Sequence, residues 1–405
     1  MVPKGWKPKA FGDVVKLSKN KYDPQKSDKC FPCVELEHLT QETGQIVGST
    51  PASTLGSIKN QFNSGDVIFG KLRPYLKKYA MPNFDGVCSS EIWVFAPTNE
   101  IINPYLYQFV QTNKFITEAN KSAGSKMPRA DWEVVSEMQL PLPPLPEQRK
   151  IAKILSTWDQ AIATTERLIA TSQQQKKALM QQLLTRKKRL VNPETGKEFE
   201  GEWEEVKLDD VISLGRGFAF KSDQYTENGT KIVRVTNIAS SGHIDLSDCV
   251  YVPDEIAAEY QKYSLCNEDV LLVMVGATAG KLGFVSENIL PSLLNQNMWS
   301  LRTRDIDVLS QLFLRHIAER IVSRYMLTQQ GSARGFFTQS TFELVNFQIP
   351  PILEQQKIAS VLTAADQEIE LLEAKLTHLK DEKKALMQQL LTGKRRVKVD
   401  AAEVA

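Results

Sequence analysis

The sequence predicts an α+β protein built twice over, with two homologous domains of short strands and helices, each followed by one long helix. Three observations carry this prediction. Residues 143–190 match residues 350–397 without a gap, and about half of the aligned positions are identical. Both copies carry an apolar spacing of about 3.5 residues, the signature of a helix seam. The segments before them share an opening and a pattern of strands punctuated by turns.

The first domain, residues 1–142, opens on Trp6–Val15 (WKPKAFGDVV). It continues through CFPCVELEHL, GDVIFGKLRPYLKK and EIWVFAP, strand-like runs separated by Gly, Asn and Asp. A helical stretch over Pro104–Ala119 and a small polar loop, Gly124–Arg129, complete it.

Residues 143–190 form the first long helix. Pro143-Pro144 cannot continue a preceding strand, and beyond the opening prolines no Pro or Gly interrupts the run before Thr185. Its seam is Ile151, Leu155, Trp158, Ile162, Thr165, Ile169, Ser172, Lys176, Leu179 and Leu183. A helix of about 40 residues rises roughly 60 Å, long enough for a spacer. On periodicity alone, a helical hairpin used for oligomerisation is an equal reading.

Residues 191–202 link to the second domain, residues 203–349, which opens on Trp203–Ile212 (WEEVKLDDVI). KIVRVTNI, EDVLLVMVGATAGK and NQNMWSL follow as strands, then a helical stretch over Asp307–Tyr325 and a loop over Gly331–Phe337. The second long helix, residues 350–397, places Ile358, Leu362, Ala365, Ile369, Leu372, Leu376, Leu379, Lys383, Leu386 and Leu390 on its seam. Bulky Trp158 matching small Ala365 suits helices that pair with each other. Residues 398–405 are a tail.

Composition bounds the function. At 405 residues with 42% hydrophobic and 24% charged residues, the chain exceeds the roughly 250 that one core organises. Fifty basic residues against 48 acidic leave a net charge of +2, so affinity for nucleic acid has to come from local clusters. No apolar run approaches the roughly 20 residues that span a bilayer, and Met1–Ala10 lacks a signal core. A cytoplasmic protein without membrane contact is expected. Five cysteines at irregular spacing (Cys30, Cys33, Cys88, Cys249, Cys266) fit free thiols.

The order domain, helix, domain, helix resembles the specificity subunits of type I restriction-modification enzymes over essentially the whole chain. The resemblance rests on PPLxEQxKIAxxL, here Pro143–Leu155 and Pro350–Leu362, and on the two ALMQQLLT copies. It implies two target-recognition domains and an antiparallel coiled coil with pseudo-twofold symmetry. It also implies a bipartite, asymmetric target in double-stranded DNA, with no catalysis by this chain. Two methyltransferase subunits and the restriction (translocase) subunits are the implied partners, and these carry the S-adenosylmethionine, ATP and magnesium chemistry. A scaffold that binds protein through the same coiled coil is the alternative.

No enzyme site emerges from the residues. Cys30-Phe31-Pro32-Cys33 has the spacing of half a zinc site, but Cys33, Val34 and Leu36 suit a half-buried strand, and no metal is expected. Gly276-Ala277-Thr278-Ala279-Gly280-Lys281 is similar to a phosphate loop, yet it is one residue short and followed by Leu282 where Ser or Thr would hold magnesium. A turn touching DNA phosphate or a tight hairpin are the readings left. Asn103-Pro104-Tyr105 lacks the second proline of an amino-methyltransferase motif and suits a helix start. Asp366 with Glu373-Ala374-Lys375 lies on a helix and suits solvated charge rather than a nuclease site. The four histidines, His38, His243, His316 and His378, are scattered.

DNA contacts call for basic or amide side chains on loops, since phosphates attract cations and base edges pair with Arg, Asn or Gln. The first domain offers Lys71, Arg73, Lys77, Lys78, Lys126 and Arg129. The second offers Arg234, Asn237, Lys281, Asn295, Gln296, Asn297 and Arg334. Arg186–Arg189 and Lys394–Arg396 suit helix C-caps or phosphate anchors.

Overall fold

A computed structural model describes residues 3–27, 29–121, 127–328 and 337–399. The chain divides into two compact units, Met1–Arg167 with Glu373–Ala405, and Leu168–Leu372. Each unit holds one domain and a part of each long helix.

In the first unit the domain's first and last strands are partners, Lys7–Ala10 lying antiparallel to Gln139–Leu142 with Lys7 opposite Leu142. The chain leaves this pair directly into the helix Leu145–Leu183. A four-stranded antiparallel sheet runs in the order Val15–Leu17, Ile92–Pro97, Val67–Gly70, Tyr79–Ala80. Its central strands read as unbroken apolar runs because both faces are covered. Val67, Phe69, Trp93 and Phe95 face a core shared with Phe11, Phe109 and Phe115. The alternate residues, Ile68, Ile92 and Val94, face a second core with Val34, Leu39 and Phe62. That second core is backed by a five-stranded mixed sheet in which Pro32–Val34 runs parallel to Gly86–Cys88. Burying each of these large side chains is worth about 1.5–3 kcal/mol.

The helical stretch expected over Pro104–Ala119 consists of two helices, Asn103–Val110 and Asn113–Asn120. Thr112 ends the first and caps the second, its hydroxyl accepting a hydrogen bond from the Phe115 amide at 3.2 Å. The break lets Phe109 and Phe115 enter the same core, their ring centroids 6.3 Å apart.

The second unit repeats this construction. Glu204–Lys207 pairs with Asn346–Ile349, and a four-stranded sheet runs Ile212–Arg216, Met298–Thr303, Val270–Val273, Leu282–Phe284. Val270 and Leu272 face one core while Leu271 and Val273 face another. Here a parallel pair also recurs, Thr230–Val233 with Ser292–Leu294, and the helical stretch is the single helix Gln311–Thr328.

The second long helix is Ile352–Leu390, and each long helix has 39 residues, about 58 Å at roughly 1.5 Å per residue. Within the first unit Asp159 meets Lys383 at 2.5 Å and Glu166 meets Lys380 at 2.9 Å. Within the second, Lys176 meets Asp366 and Arg189 meets Glu354. Numbers rise along one helix as they fall along the other, so the pairing is antiparallel in both. Leu155, Ile169, Leu362 and Ile369 are buried on the seam, while Trp158, Ile162, Leu179, Ala365, Leu376 and Leu386 are half-buried. Among the described residues no helix is long and apolar enough to cross a membrane.

Candidate nucleic-acid interface

The repeated Pro-Pro-x-x-Glu-Gln motif holds each domain to the helices. Gln148 is buried and donates to the carbonyls of Pro143 at 2.9 Å and Glu100 at 2.8 Å, while accepting from the Ile102 amide at 3.0 Å. Gln355 does the same with Pro350 at 2.8 Å, Val308 at 2.9 Å and the Ser310 amide at 2.9 Å. Each side-chain amide thus satisfies three backbone groups that burial would otherwise leave unpaired. The adjoining Glu147 takes a two-pronged ion pair from Arg396, and Glu354 takes one from Arg189. Two arginines of the basic runs are therefore tied to the frame, and Arg186 pairs with Glu202.

On this frame each unit presents a hairpin connection of the same design. Residues 71–78 join two strands in the first unit and residues 274–281 join their counterparts in the second. The Lys71 amide donates to Glu91 and the Met274 amide to Asn297, each at 2.9 Å. The third and seventh residues of both connections sit at positive φ. In the second unit they are Gly276 (φ 86°) and Gly280 (φ 90°), so the phosphate-loop-like run is a hairpin turn between antiparallel strands. In the first unit they are Arg73 (φ 52°) and Lys77 (φ 49°). A residue with a Cβ is disfavoured there by about 1 kcal/mol or more.

Around the first turn, Lys77 pairs with Glu42 at 2.7 Å, the Lys78 ammonium donates to the Leu36 carbonyl and Arg129 pairs with Glu91 at 3.0 Å. Lys71 is half-buried and Arg73 is exposed. Pro128 and Ala130 hydrogen bond to the backbone of Arg73 and Lys71, which brings residues 128–130 alongside the turn. Lys126 and Arg334 lie outside the described residues.

Around the second turn the candidates separate. Asn237 is buried, its carbonyl accepting from the Arg234 amide at 2.9 Å and its amide donating to Asp245 at 3.0 Å and Asp248 at 3.3 Å. It holds a turn together and has no donor left for a base edge, as His38 does in the first unit, its Nδ1 accepting from the Glu35 amide at 3.0 Å. Asn295 is also buried, and its carbonyl lies where any side chain on Gly217 would collide with it. The Lys281 ammonium donates to the Ile238 carbonyl. Arg234 donates to Asp248 at 3.2 Å, yet its Nε is buried without a partner, as is the Oε1 of Gln296. Asn297 is exposed at φ 71°. Residue type could suggest these amides and cations, but only the fold separates those used internally from those still available.

The remaining motifs serve structure. Cys33 is buried on a strand, where burial pushes its thiol up to about 12, whereas Cys30 is exposed beside Ser53. Among the described residues no group of three His, Cys, Asp or Glu is placed to hold a metal. Asn103-Pro104 starts a helix, and Asp366 is held by Lys176 in the seam.

A family model for the type I restriction modification DNA specificity domain matches residues 3–172 and 200–381. The type I restriction enzyme MjaVIII specificity subunit of Methanocaldococcus jannaschii is 26% identical, over 98% of this chain and 94% of its own length. The type I restriction enzyme EcoDI specificity subunit of Escherichia coli is 30% identical over 38% of this chain and 34% of its own. In fold, the chain is similar to the type I restriction-modification S subunit from M. genitalium, with a TM-score of 0.63 at 11% identity, covering 95% of this chain and 96% of that one. A second solved chain, from a type I R-M system, has a TM-score of 0.56 at 23% identity over 98% of this chain and 100% of its own.

Proposed function

Because the chain belongs to the family of type I restriction-modification DNA specificity subunits, we propose that it reads a bipartite, asymmetric target in double-stranded DNA, one word per unit. The chain is the DNA-recognition subunit of its enzyme and not a catalytic one. Two methyltransferase subunits and the restriction subunits dock on it in this proposal, bringing S-adenosylmethionine, ATP and magnesium with them. One observation supports the two-word reading above others. The frame is repeated without a gap and about half of its positions are identical, Glu-Gln motifs and Arg partners included, while the matching turns carry Arg73 and Lys77 in one unit and Gly276 and Gly280 in the other. Shared positioning with divergent contact chemistry is what reading two different words requires.

Arg73 and Asn297 are the readers favoured by exposure, while Arg234 and Gln296 each keep one buried polar atom without a partner. Lys71, Lys77, Lys78, Arg129 and Lys281 would in this proposal contribute positive potential toward phosphates, the last four while bonded within the chain. The experiment is a domain exchange. Replacing residues 1–142 with the first domain of another family member, in cells that supply the methyltransferase, is expected to change one word of the methylated motif and leave the other intact. A change in both words would refute the proposal. The purified chain alone is expected to transfer no methyl group from S-adenosylmethionine to DNA, and transfer by that preparation would equally count against it.

A further inference from the structure

We propose that Arg73 reads a guanine in the DNA word assigned to the first unit, which deepens the two-word reading and rests on it. The argument starts from the backbone. Arg73 occupies the left-handed region at φ 52°, and the same position of the same turn in the second unit is Gly276 at φ 86°, the residue that such a backbone favours. A Cβ on Gly276 would meet nothing within 4 Å, so this corner of the turn points into open space. The first unit thus keeps a long cationic side chain where its own repeat shows glycine to be the comfortable choice.

Neighbouring charges do not account for the arginine. Lys77, the other strained residue, is paired with Glu42 at 2.7 Å, and Arg129 with Glu91 at 3.0 Å. Arg73 is exposed, and among the described residues its guanidinium has no hydrogen bond or ion pair. Removing it would cost the described residues no hydrogen bond or ion pair and would relieve the turn.

Two considerations separate a base contact from a phosphate contact. Phosphate contacts position the protein without carrying sequence, whereas this position differs between the repeats as the words must. A phosphate can also be reached by a flexible cation from many backbone positions and so gives no reason to keep a Cβ at a left-handed corner, whereas a base edge has to be approached from one direction, and the corner sets the direction of the Cα–Cβ bond. The guanidinium fork matches the O6 and N7 acceptors of guanine in the major groove.

The test uses the complex with its methyltransferase subunits and duplexes carrying the target motif, each guanine of either strand replaced in turn by 7-deazaguanine. Wild-type complex is expected to bind one such duplex at least fivefold more weakly, in the word that the exchange of residues 1–142 alters. Arg73→Gly is expected to melt no lower than wild type, to bind the unmodified duplex at least fivefold more weakly, and to be indifferent to that one 7-deazaguanine. Arg73→Lys, which keeps charge and Cβ but loses the fork, is expected to remain indifferent. Four results would overturn the proposal: no sensitive guanine in that word; undiminished discrimination in Arg73→Gly; discrimination restored by Arg73→Lys; or uniform weakening across sequences with a shallower salt dependence, which marks a phosphate contact. Failure of the exchange of residues 1–142 to alter one word alone would instead refute the two-word reading beneath it.

Discussion

At the scale of single residues, the groups that matter most are those whose burial leaves no alternative partner. Glu354 is only 1% exposed and receives Arg189, itself 14% exposed at its side chain. Breaking one side of a buried pair costs roughly 3 to 5 kcal/mol, and Arg189 keeps bonds to the carbonyls of Glu200 and Gly201. We therefore expect Glu354→Ala to destabilise the second unit by about 3 kcal/mol, checked by urea denaturation. Little change would mean that the pair contributes nothing. His316 gives a pH signature. Burial is the main cause that pushes its imidazole down to about 4; Asp366 opposes the shift, and Lys176 and Arg315 add to it. Thr363 is within 3.0 Å of its Nε2. The folded value lies below the unfolded value of about 6.5, so the native state prefers the neutral ring. The stabilising contribution is complete above pH 6.5 and is lost as pH falls toward 4. A melting series should show a steeper decline over that window for wild type than for His316→Gln, and parallel declines would contradict the assignment.

At the scale of elements, the long helices were the most legible part of the sequence, because a seam repeats locally and every turn restates it. All twenty seam positions are buried or half-buried, Lys176 and Lys383 among them. The spacing did not disclose what those lysines do; Asp366 and Asp159 answer them across the seam. Polar substitution should cost about 2 to 5 kcal/mol at buried Ile369 and less at half-buried Ile162, read as a lower melting temperature with weaker recovery of methyltransferase subunit on co-purification. The ion pair behaves differently: Asp366→Ala alone should destabilise, while Lys176→Leu with Asp366→Leu should be neutral or stabilising. Double-mutant melting decides this, and additive losses would exclude it. The domains were less legible. Strands such as Pro32–Val34 and Gly86–Cys88 are three residues long and pair in parallel across some fifty residues of chain. No local pattern records such a pairing. The candidate contacts were legible only as chemical types. Asn237 and Asn297 are the same residue to the sequence, yet one is buried holding a turn and the other is exposed.

At the scale of the whole molecule, the two helices are expected to set the gap between the words while the domains set the words. Inserting one heptad after Ile162, with a matching heptad in the partner helix to keep register, should move the gap in the methylated motif and leave both words unchanged. Rewriting of either word would disprove this division of labour. A final consequence comes from Arg396, which besides Glu147 also holds the carbonyl of Lys4 at 2.6 Å. Residues 4 and 396, from the first and last described segments, are held together within the first unit, in the place where the second unit has the unbroken, largely exposed linker 191–202. The same arginine-to-carbonyl contact thus joins two separate segments in the first unit and spans a continuous linker in the second, where Arg189 holds the carbonyl of Gly201. A gene rotated so that translation begins in that linker, with the old ends joined by a few residues, should yield a protein that reads the same DNA.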